Sequence, residues 1–532
     1  MTEPDLDAVR AWITDDVDPA DARELQALVD AGAHDELTQR FAGPLTFGTA
    51  GLRGPLRAGP NGMNRTVVRR AAAGLAAHLH AAGHPAGAPV VVGYDARYGS
   101  RDFAHDSAAV FAAAGFAAAV LPAPLPTPVL AFATRRLHAV AGVMVTASHN
   151  PPQDNGYKVY AADGAQIVPP DDVQIEAAIR DVASARAVPL DRDAVQVLGT
   201  DIVDAYVHAV LAAVDDDNGP RELRIVHTAM HGVGSETALA VLRRAGFADV
   251  TAVPQQERPD PQFPTVAFPN PEEPGALDLA LDLARARQAD IVIANDPDAD
   301  RCAVAVPDAT GAWRTLRGDE VGVLLADELM RRGVPGTYAT TIVSSSMLAA
   351  LAAARGVPYA ETLTGFKWIA RAAPDLAYGY EEALGYAVAP QLVADKDGIS
   401  AALLVAQLAA RERAAGSSLL QRLDALATEF GRYATDQVSV RVDDLGVIAE
   451  TMHRLHAEPP ASLLGEPVQA EDLLPGADVL RWRWPGGRVV VRPSGTEPKL
   501  KAYLEVVEAS GSAERANAAL ARLRTEVAAL VG

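Results

Sequence analysis

The chain has 532 residues, 49% hydrophobic and 22% charged, enough for several cored domains and too apolar for a disordered polypeptide. Its formal net charge of −21 repels nucleic acid and anionic membrane surfaces, so neither is an expected partner, and any anionic ligand needs a local basic cleft. A single cysteine, Cys302, excludes a disulfide within the chain and suits a reducing cytoplasm, which is the expected location.

In chain order, the first 21 residues are acidic and carry no apolar core, which argues against a signal peptide. Helical spacing follows over 66–82, then a buried strand over 90–93. Residues 108–121 are too few and too alanine-rich to span a bilayer, and read as a helix end, Gly115 and a short strand. Pro122, Pro124, Pro126 and Pro128 make a rigid loop ahead of a strand at 140–145. Further strands are predicted at 225–226, 291–294, 338–343 and 489–491, and helices over 275–287, 318–332 and 399–414. The last hundred residues read as short strands and one C-terminal helix over 512–531. Alternating strands and helices predict an α/β fold with covered sheets, and the breaks suggest domains over 1–205, 206–317, 318–435 and 436–532.

Four motifs carry chemistry. Thr146-Ala147-Ser148-His149-Asn150-Pro151-Pro152 follows a strand, so Ser148 sits at the sheet edge where α/β proteins bind ligands. The Ser-His pair invites a hydrolase reading. Against it, no Gly-x-Ser-x-Gly elbow is present, and neighbouring side chains on an extended chain diverge. Asp296-Pro297-Asp298-Ala299-Asp300-Arg301 puts three carboxylates at alternate positions after a strand. They can meet at one centre if the loop wraps, and an oxygen-only set favours magnesium over zinc. Tyr380-Glu381-Glu382-Ala383-Leu384-Gly385-Tyr386 offers acceptors and flat apolar faces suited to sugar hydroxyls, although a glutamate pair at a helix start is the commoner reading. Asp395-Lys396-Asp397-Gly398 places a lysine in a charged turn. Arg492-Pro493-Ser494-Gly495-Thr496-Glu497-Pro498-Lys499 combines arginine, hydroxyls and a permissive glycine, the parts of a phosphate nest, and it is not a Walker loop.

Weaker basic candidates lie in Leu52-Arg53-Gly54, Asp95-Ala96-Arg97, Tyr157-Lys158 and Thr364-Gly365-Phe366-Lys367-Trp368, each a solvated surface cation by default. His231 in His231-Gly232-Val233-Gly234 reads as a structural histidine. A serine, an oxygen-ligand cation loop, a hydroxyl-binding loop and a phosphate nest are what phosphoryl transfer on a sugar phosphate needs, since that chemistry is mostly positioning and charge neutralisation.

On these motifs, in this order, the chain resembles the α-D-phosphohexomutase superfamily over nearly its whole length. Phe47-Gly48-Thr49-Ala50-Gly51-Leu52-Arg53-Gly54 and Tyr380-Glu381-Glu382-Ala383-Leu384-Gly385-Tyr386 are similar to the phosphoglucomutase branch that includes phosphopentomutases. The resemblance implies three related mixed α/β domains and a smaller C-terminal α+β domain around one cleft. It implies that Ser148 is phosphorylated and that Asp296, Asp298 and Asp300, with a Ser148 phosphate oxygen, hold one Mg²⁺. Lys158, Arg53, Arg301 and His149 complete the implied catalytic set. Thr364, Gly365, Lys367, Glu381 and Glu382 would meet the sugar, and Lys396, Arg492, Ser494, Gly495 and Thr496 the non-transferring phosphate. The implied reaction interconverts glucose 1-phosphate and glucose 6-phosphate through a bisphosphate, with glucose 1,6-bisphosphate as activator, in a monomer or homodimer. Many hexose mutases carry serine where this chain has Ala383, so pentose phosphates are the alternative substrates, with phosphomannomutase activity ranked lower.

Overall fold

A computed structural model describes residues 4–46, 51–215, 218–442, 445–474, 476–494 and 499–532. They form two compact units, Met1–Thr315 with Gly385–Gln407, and Leu316–Leu384 with Leu408–Gly532.

The first unit holds two sheets. In one, Val90, Val91 and Val92 are completely buried, as the central strand of a sheet covered on both faces requires. Strands run in the order Leu52–Pro55, Asp154–Ala161, Ala141–Val145, Pro89–Tyr94, Ala117–Val120 and Gln196–Val197. The last four are mutually parallel, Asp154–Ala161 runs antiparallel to them at one edge, and Leu52–Pro55 runs antiparallel to Asp154–Ala161. This register sets Arg53 opposite Gly156 and Lys158 opposite Met144, so Lys158 lies on the strand beside the one that leads to Ser148, and Arg53 lies one strand further out. The second sheet has the order Trp313–Thr315, Ala303–Pro307, Ile291–Ala294, Ile225–Thr228 and Val250–Ala252. Its central strand Ile291–Ala294 is fully buried and delivers the acidic loop. Cys302 is buried just ahead of the strand Ala303–Pro307.

The second unit holds two larger sheets and a two-stranded pair, Ser462–Leu463 with Glu466–Pro467. Thr337–Thr341 runs parallel to Tyr359–Thr362 on one side and to Leu376–Glu381 on the other. An antiparallel sheet follows in the order Arg432–Arg441, Lys499–Glu508, Gly487–Pro493, Leu480–Trp484 and Gln469–Asp472. The helix Ala513–Val531 covers it, capped by the Ser512 hydroxyl and burying Leu520, Leu523 and Val527.

Two sequence expectations need correction, and one segment folds where no element was predicted. In that N-terminal segment, helices Leu6–Asp15, Pro19–Asp30 and His34–Arg40 bury Val9, Leu25 and Leu37 against Ala58. Asp5 and Asp18 cap the first two, and Pro19 starts the second, a strong helix-start signal in acidic surroundings. The predicted helix over 275–287 begins only at Asp278, after the proline-rich connection. The last hundred residues contain a second helix, Leu445–Ala457, and two ten-residue strands rather than only short ones.

Candidate active site

Ser148 stands just past the end of the strand Ala141–Val145, with a left-handed φ of 52°. A non-glycine residue there costs about 1–3 kcal/mol and persists only where neighbours over-determine it. They do so here. The Ser148 amide donates to Thr146 Oγ1 at 2.9 Å, and the Thr146 hydroxyl donates to Asp95 at 2.7 Å. The buried Arg97 guanidinium donates to the carbonyls of Ser148 at 2.7 Å, Asn150 at 2.5 Å, Pro151 at 2.7 Å and Asp154 at 3.1 Å. Asp95 lies 3.3 Å from Arg97 and balances its charge.

The Ser148 hydroxyl donates to Asp296 Oδ2 at 2.8 Å. Asp296, Asp298 and Asp300 are all buried and offer oxygens within 4.8 Å of one another, the one such group among the described residues. The loop wraps because Ala299 takes a φ of 56° and the Arg301 amide donates to Asp296 Oδ1 at 3.0 Å. Lys158 Nζ donates to Asp298 Oδ2 at 2.7 Å and Asp300 Oδ2 at 2.9 Å. Asp298 Oδ1 and Asp300 Oδ1 are buried and accept no hydrogen bond. Carboxylate oxygens left without donors in a dry site are costly alone and suit a small hard cation. The residues present therefore fit a divalent metal.

The electrostatics agree. Burial, then the charges of Asp298 and Asp300, push the Asp296 carboxyl well above its ordinary range. Burial and Asp300 press Asp298 upward, yet Lys158 and the Thr127 hydroxyl hold it below its ordinary value. Burial would discharge Lys158, but Asp298 and Asp300 overcome it and raise its affinity for the proton. Lys158 is thus a cation locked onto two carboxylates.

The other predicted catalytic side chains gather here too. Arg53 is partly buried and donates to Asn150 Oδ1 at 2.8 Å. Arg301 Nε lies 4.0 Å from Asp300 Oδ1, and Arg301 Nη1 lies 3.6 Å from Glu272. His149 corrects the argument from diverging neighbours: the backbone turns at Ser148, and Ser148 Oγ lies 3.1 Å from His149 Nδ1. Burial, then Arg301 and Arg53, push the His149 pKa well below its ordinary value, so the ring is neutral. Lys396, assigned by resemblance to the far phosphate, has its ammonium 3.5 Å from Asp300 Oδ2 and 3.8 Å from Asp395 Oδ1. Asp395 is held in turn by the Tyr160 hydroxyl at 2.9 Å and Gln166 Nε2 at 2.8 Å.

The acidic loop also rests on the His231-Gly232-Val233-Gly234 turn. The Val233 amide donates to the Pro297 carbonyl at 2.8 Å, and a Cβ on Gly232 would lie 2.3 Å from Pro297 Cα and 2.4 Å from its carbonyl oxygen. Gly232→Ala must therefore displace backbone, not a pliant side chain. It is expected to cost about 1–3 kcal/mol of stability, read as a lowered midpoint in urea unfolding. His231 partners Thr265 at 2.9 Å, in keeping with a structural histidine.

In the second unit, Glu381 ends the strand Leu376–Glu381, so the glutamate pair lies at a strand end and not at a helix start. Glu382 Oε2 accepts from the Ser344 hydroxyl at 3.0 Å and the Thr341 hydroxyl at 3.4 Å, which fixes the loop. A Cβ on Gly318 would lie 1.8 Å from the Glu382 carbonyl oxygen, so only glycine admits this approach. Thr364 and Gly365 precede the short helix Phe366–Ile369, and Thr364 Oγ1 is buried without a hydrogen bond. Lys367 Nζ lies 5.6 Å from the centre of the Trp368 ring. Arg492 lies on the strand Gly487–Pro493 and hydrogen-bonds the Tyr503 hydroxyl. The Ser494 amide donates to the Lys499 carbonyl at 2.8 Å. Gly495 and Thr496 lie outside the described residues, as does the 47–50 part of the first basic motif.

Sequence reasoning treated Arg97, in Asp95-Ala96-Arg97, as an ordinary surface cation, gave Tyr160 no consequence, and assigned no role to Thr127 or Asp95. Arg97 follows a strand end by three residues, which was its one local signal. Its four carbonyl partners are visible only in three dimensions.

Comparison with known proteins agrees with this geometry. The chain matches the family models described as phosphoglucomutase/phosphomannomutase, alpha/beta/alpha domain I over 44–186, domain II over 204–311, domain III over 317–430 and the C-terminal domain over 440–525. It is 46% identical over 388 residues to a protein named probable phosphomannomutase from Haemophilus influenzae, covering 71% of this chain and 79% of that one. It is 34% identical to a Mus musculus protein named phosphopentomutase, covering 98% of this chain and 92% of the relative. A crystal structure of a phosphoglucomutase/phosphomannomutase family protein from Burkholderia thailandensis superposes with a TM-score of 0.70 at 20% identity, covering 91% of this chain and 97% of that one, and so shares the fold. Fold and relatives together define an intramolecular phosphotransferase that isomerises phosphosugars. The chain belongs to the phosphoglucomutase/phosphomannomutase family, with all four of its domains. Among the described residues, no helix is long and apolar enough to cross a membrane.

Proposed function

We propose that this chain moves a phosphoryl group between the anomeric and terminal hydroxyls of an aldose through Ser148 Oγ. The observation that carries the reading is the 2.8 Å hydrogen bond from the Ser148 hydroxyl to Asp296, within the buried carboxylate triad. Phospho-Ser148 gives its phosphoryl group to the sugar monophosphate. The Oγ–P bond breaks as the sugar O–P bond forms, and the sugar's hydroxyl proton ends on Ser148 Oγ, where Asp296 Oδ2 accepts it in a hydrogen bond. The bisphosphate turns over, and its other phosphate returns to Ser148. Asp296, Asp298 and Asp300 would hold Mg²⁺, which when bound neutralises charge on the transferring group. Lys158 and Arg53, with Arg301, steady the same charge from protein side chains. Lys396, beside Asp300, serves this end of the substrate rather than the far phosphate. Arg492 and Ser494 grip the far phosphate, while Glu381, Thr364, Gly365 and Lys367 meet the sugar.

The sugar we favour is a pentose, converted between its 1-phosphate and 5-phosphate. Two observations support this. Ala383 offers no hydroxyl in the sugar loop, and the relative named phosphopentomutase matches over 98% of the chain. Hexose phosphates, of which the motifs alone put glucose first, are the second reading, and the relative at 46% identity is named probable phosphomannomutase. The test is a substrate panel with Mg²⁺ and catalytic glucose 1,6-bisphosphate. The expected result is a higher kcat/KM for ribose 1-phosphate than for glucose 1-phosphate. A higher value for glucose 1-phosphate would restore the hexose assignment.

A further inference from the structure

The proline-rich stretch from Pro122 to Pro128 is given no role in the proposed reaction. Yet it reaches from the first sheet to the acidic loop of the second. Thr127 lies between Pro126 and Pro128, neither of which has an amide hydrogen, so it presents the one N–H of that tripeptide. That N–H donates to the Asp298 backbone carbonyl at 2.9 Å. The Thr127 hydroxyl donates to Asp298 Oδ2 at 2.7 Å. One residue therefore grips both the backbone and the carboxylate of Asp298. Lys158 Nζ takes the same Oδ2 at 2.7 Å, which fills that oxygen and leaves Oδ1 buried with no donor. The next residue, Ala299, is in the left-handed region, a conformation that needs outside support.

We propose that Thr127 is a positioning residue for the metal site: its hydroxyl fixes the Asp298 carboxylate so that Oδ1 is presented to a divalent cation. This rests on the reading of the triad as a cation site. Hydrogen-bond partners of ligating carboxylates set their orientation and basicity, and their loss typically costs about 10–100-fold in metal affinity. Thr127 is completely buried, so Thr127→Val, which keeps the branched shape and replaces the hydroxyl with a methyl group, is the informative change.

The experiment titrates the full chain with Mn²⁺, a paramagnetic stand-in for Mg²⁺, and follows free Mn²⁺ by electron paramagnetic resonance. Wild type is expected to bind one Mn²⁺ per chain. Thr127→Val is expected to raise the Mn²⁺ Kd by about tenfold or more, and Thr127→Ser to stay within about threefold of wild type. Thermal unfolding without metal reports the fold of each variant, and Thr127→Ala, which adds no atoms, replaces the valine variant if that one does not fold. Wild-type affinity in folded Thr127→Val or Thr127→Ala, with wild type binding normally, would overturn the role of Thr127 alone. No Mn²⁺ binding by wild type would instead overturn the cation reading of the triad, and this proposal with it.

Discussion

Ser148→Ala is expected to abolish isomerisation, with a fall in turnover of about four orders of magnitude or more, while the chain still folds and binds sugar phosphate. Removing a nucleophile that forms a covalent intermediate leaves no stepwise route, and the remaining groups can only bind. The structural cost is small by comparison. The lost hydroxyl leaves Asp296 Oδ2 without its donor, a change of about 1 kcal/mol. Burial and the other two aspartates already favour the protonated form of Asp296, which limits that cost further. Turnover with saturating bisphosphate activator, measured beside substrate binding by calorimetry, separates the two effects. Retained turnover in the alanine variant would remove Ser148 from the reaction.

Lys158→Met should produce the second large effect, and it should do so in two measurements. The ammonium bridges Asp298 and Asp300 at 2.7 and 2.9 Å, with all three side chains buried. Removing one partner of a buried ion pair strands the other, at about 3–5 kcal/mol. The metal-free variant is therefore expected to unfold at markedly lower urea concentration than wild type. A divalent cation can replace the lost charge, so Mg²⁺ should recover more stability in the variant than it adds to wild type. Turnover is expected to fall by about 10²–10⁴, the usual range for a group that meets developing charge or a moving proton. An unchanged unfolding midpoint without metal would show that Lys158 does not neutralise the pair.

The parts of the site that were legible in the sequence are those where chemistry is compressed into a few consecutive residues. Asp296, Asp298 and Asp300 alternate after an apolar run, and a short strand delivers them together. Ser148 was legible because a strand precedes it and Asn-Pro-Pro follows. What stayed hidden depends on contacts between distant segments. Arg97 lies 51 residues from Ser148, and nothing local reveals that it holds the carbonyls of that loop. Thr127 lies 171 residues from Asp298, inside a stretch whose prolines spoke only of rigidity. Lys396 was read by family pattern alone, which does not show that Tyr160 and Gln166 hold its neighbour Asp395 or that its ammonium lies 3.5 Å from Asp300. His149 was argued away from Ser148 by extended-chain geometry, which a positive φ reverses. In the fold, strands with continuous apolar runs were visible, such as Ile291–Ala294. The N-terminal helices were not, because their small core draws on Ala58 from beyond the segment.

The most direct measurement is the site of covalent phosphate on the intact chain after brief incubation with glucose 1,6-bisphosphate and Mg²⁺, mapped by peptide mass spectrometry. The account predicts one phosphoryl group, on Ser148, which disappears when excess sugar monophosphate is added. A phosphoryl group on His149 or elsewhere, or one on Ser148 that sugar monophosphate cannot remove, would contradict it.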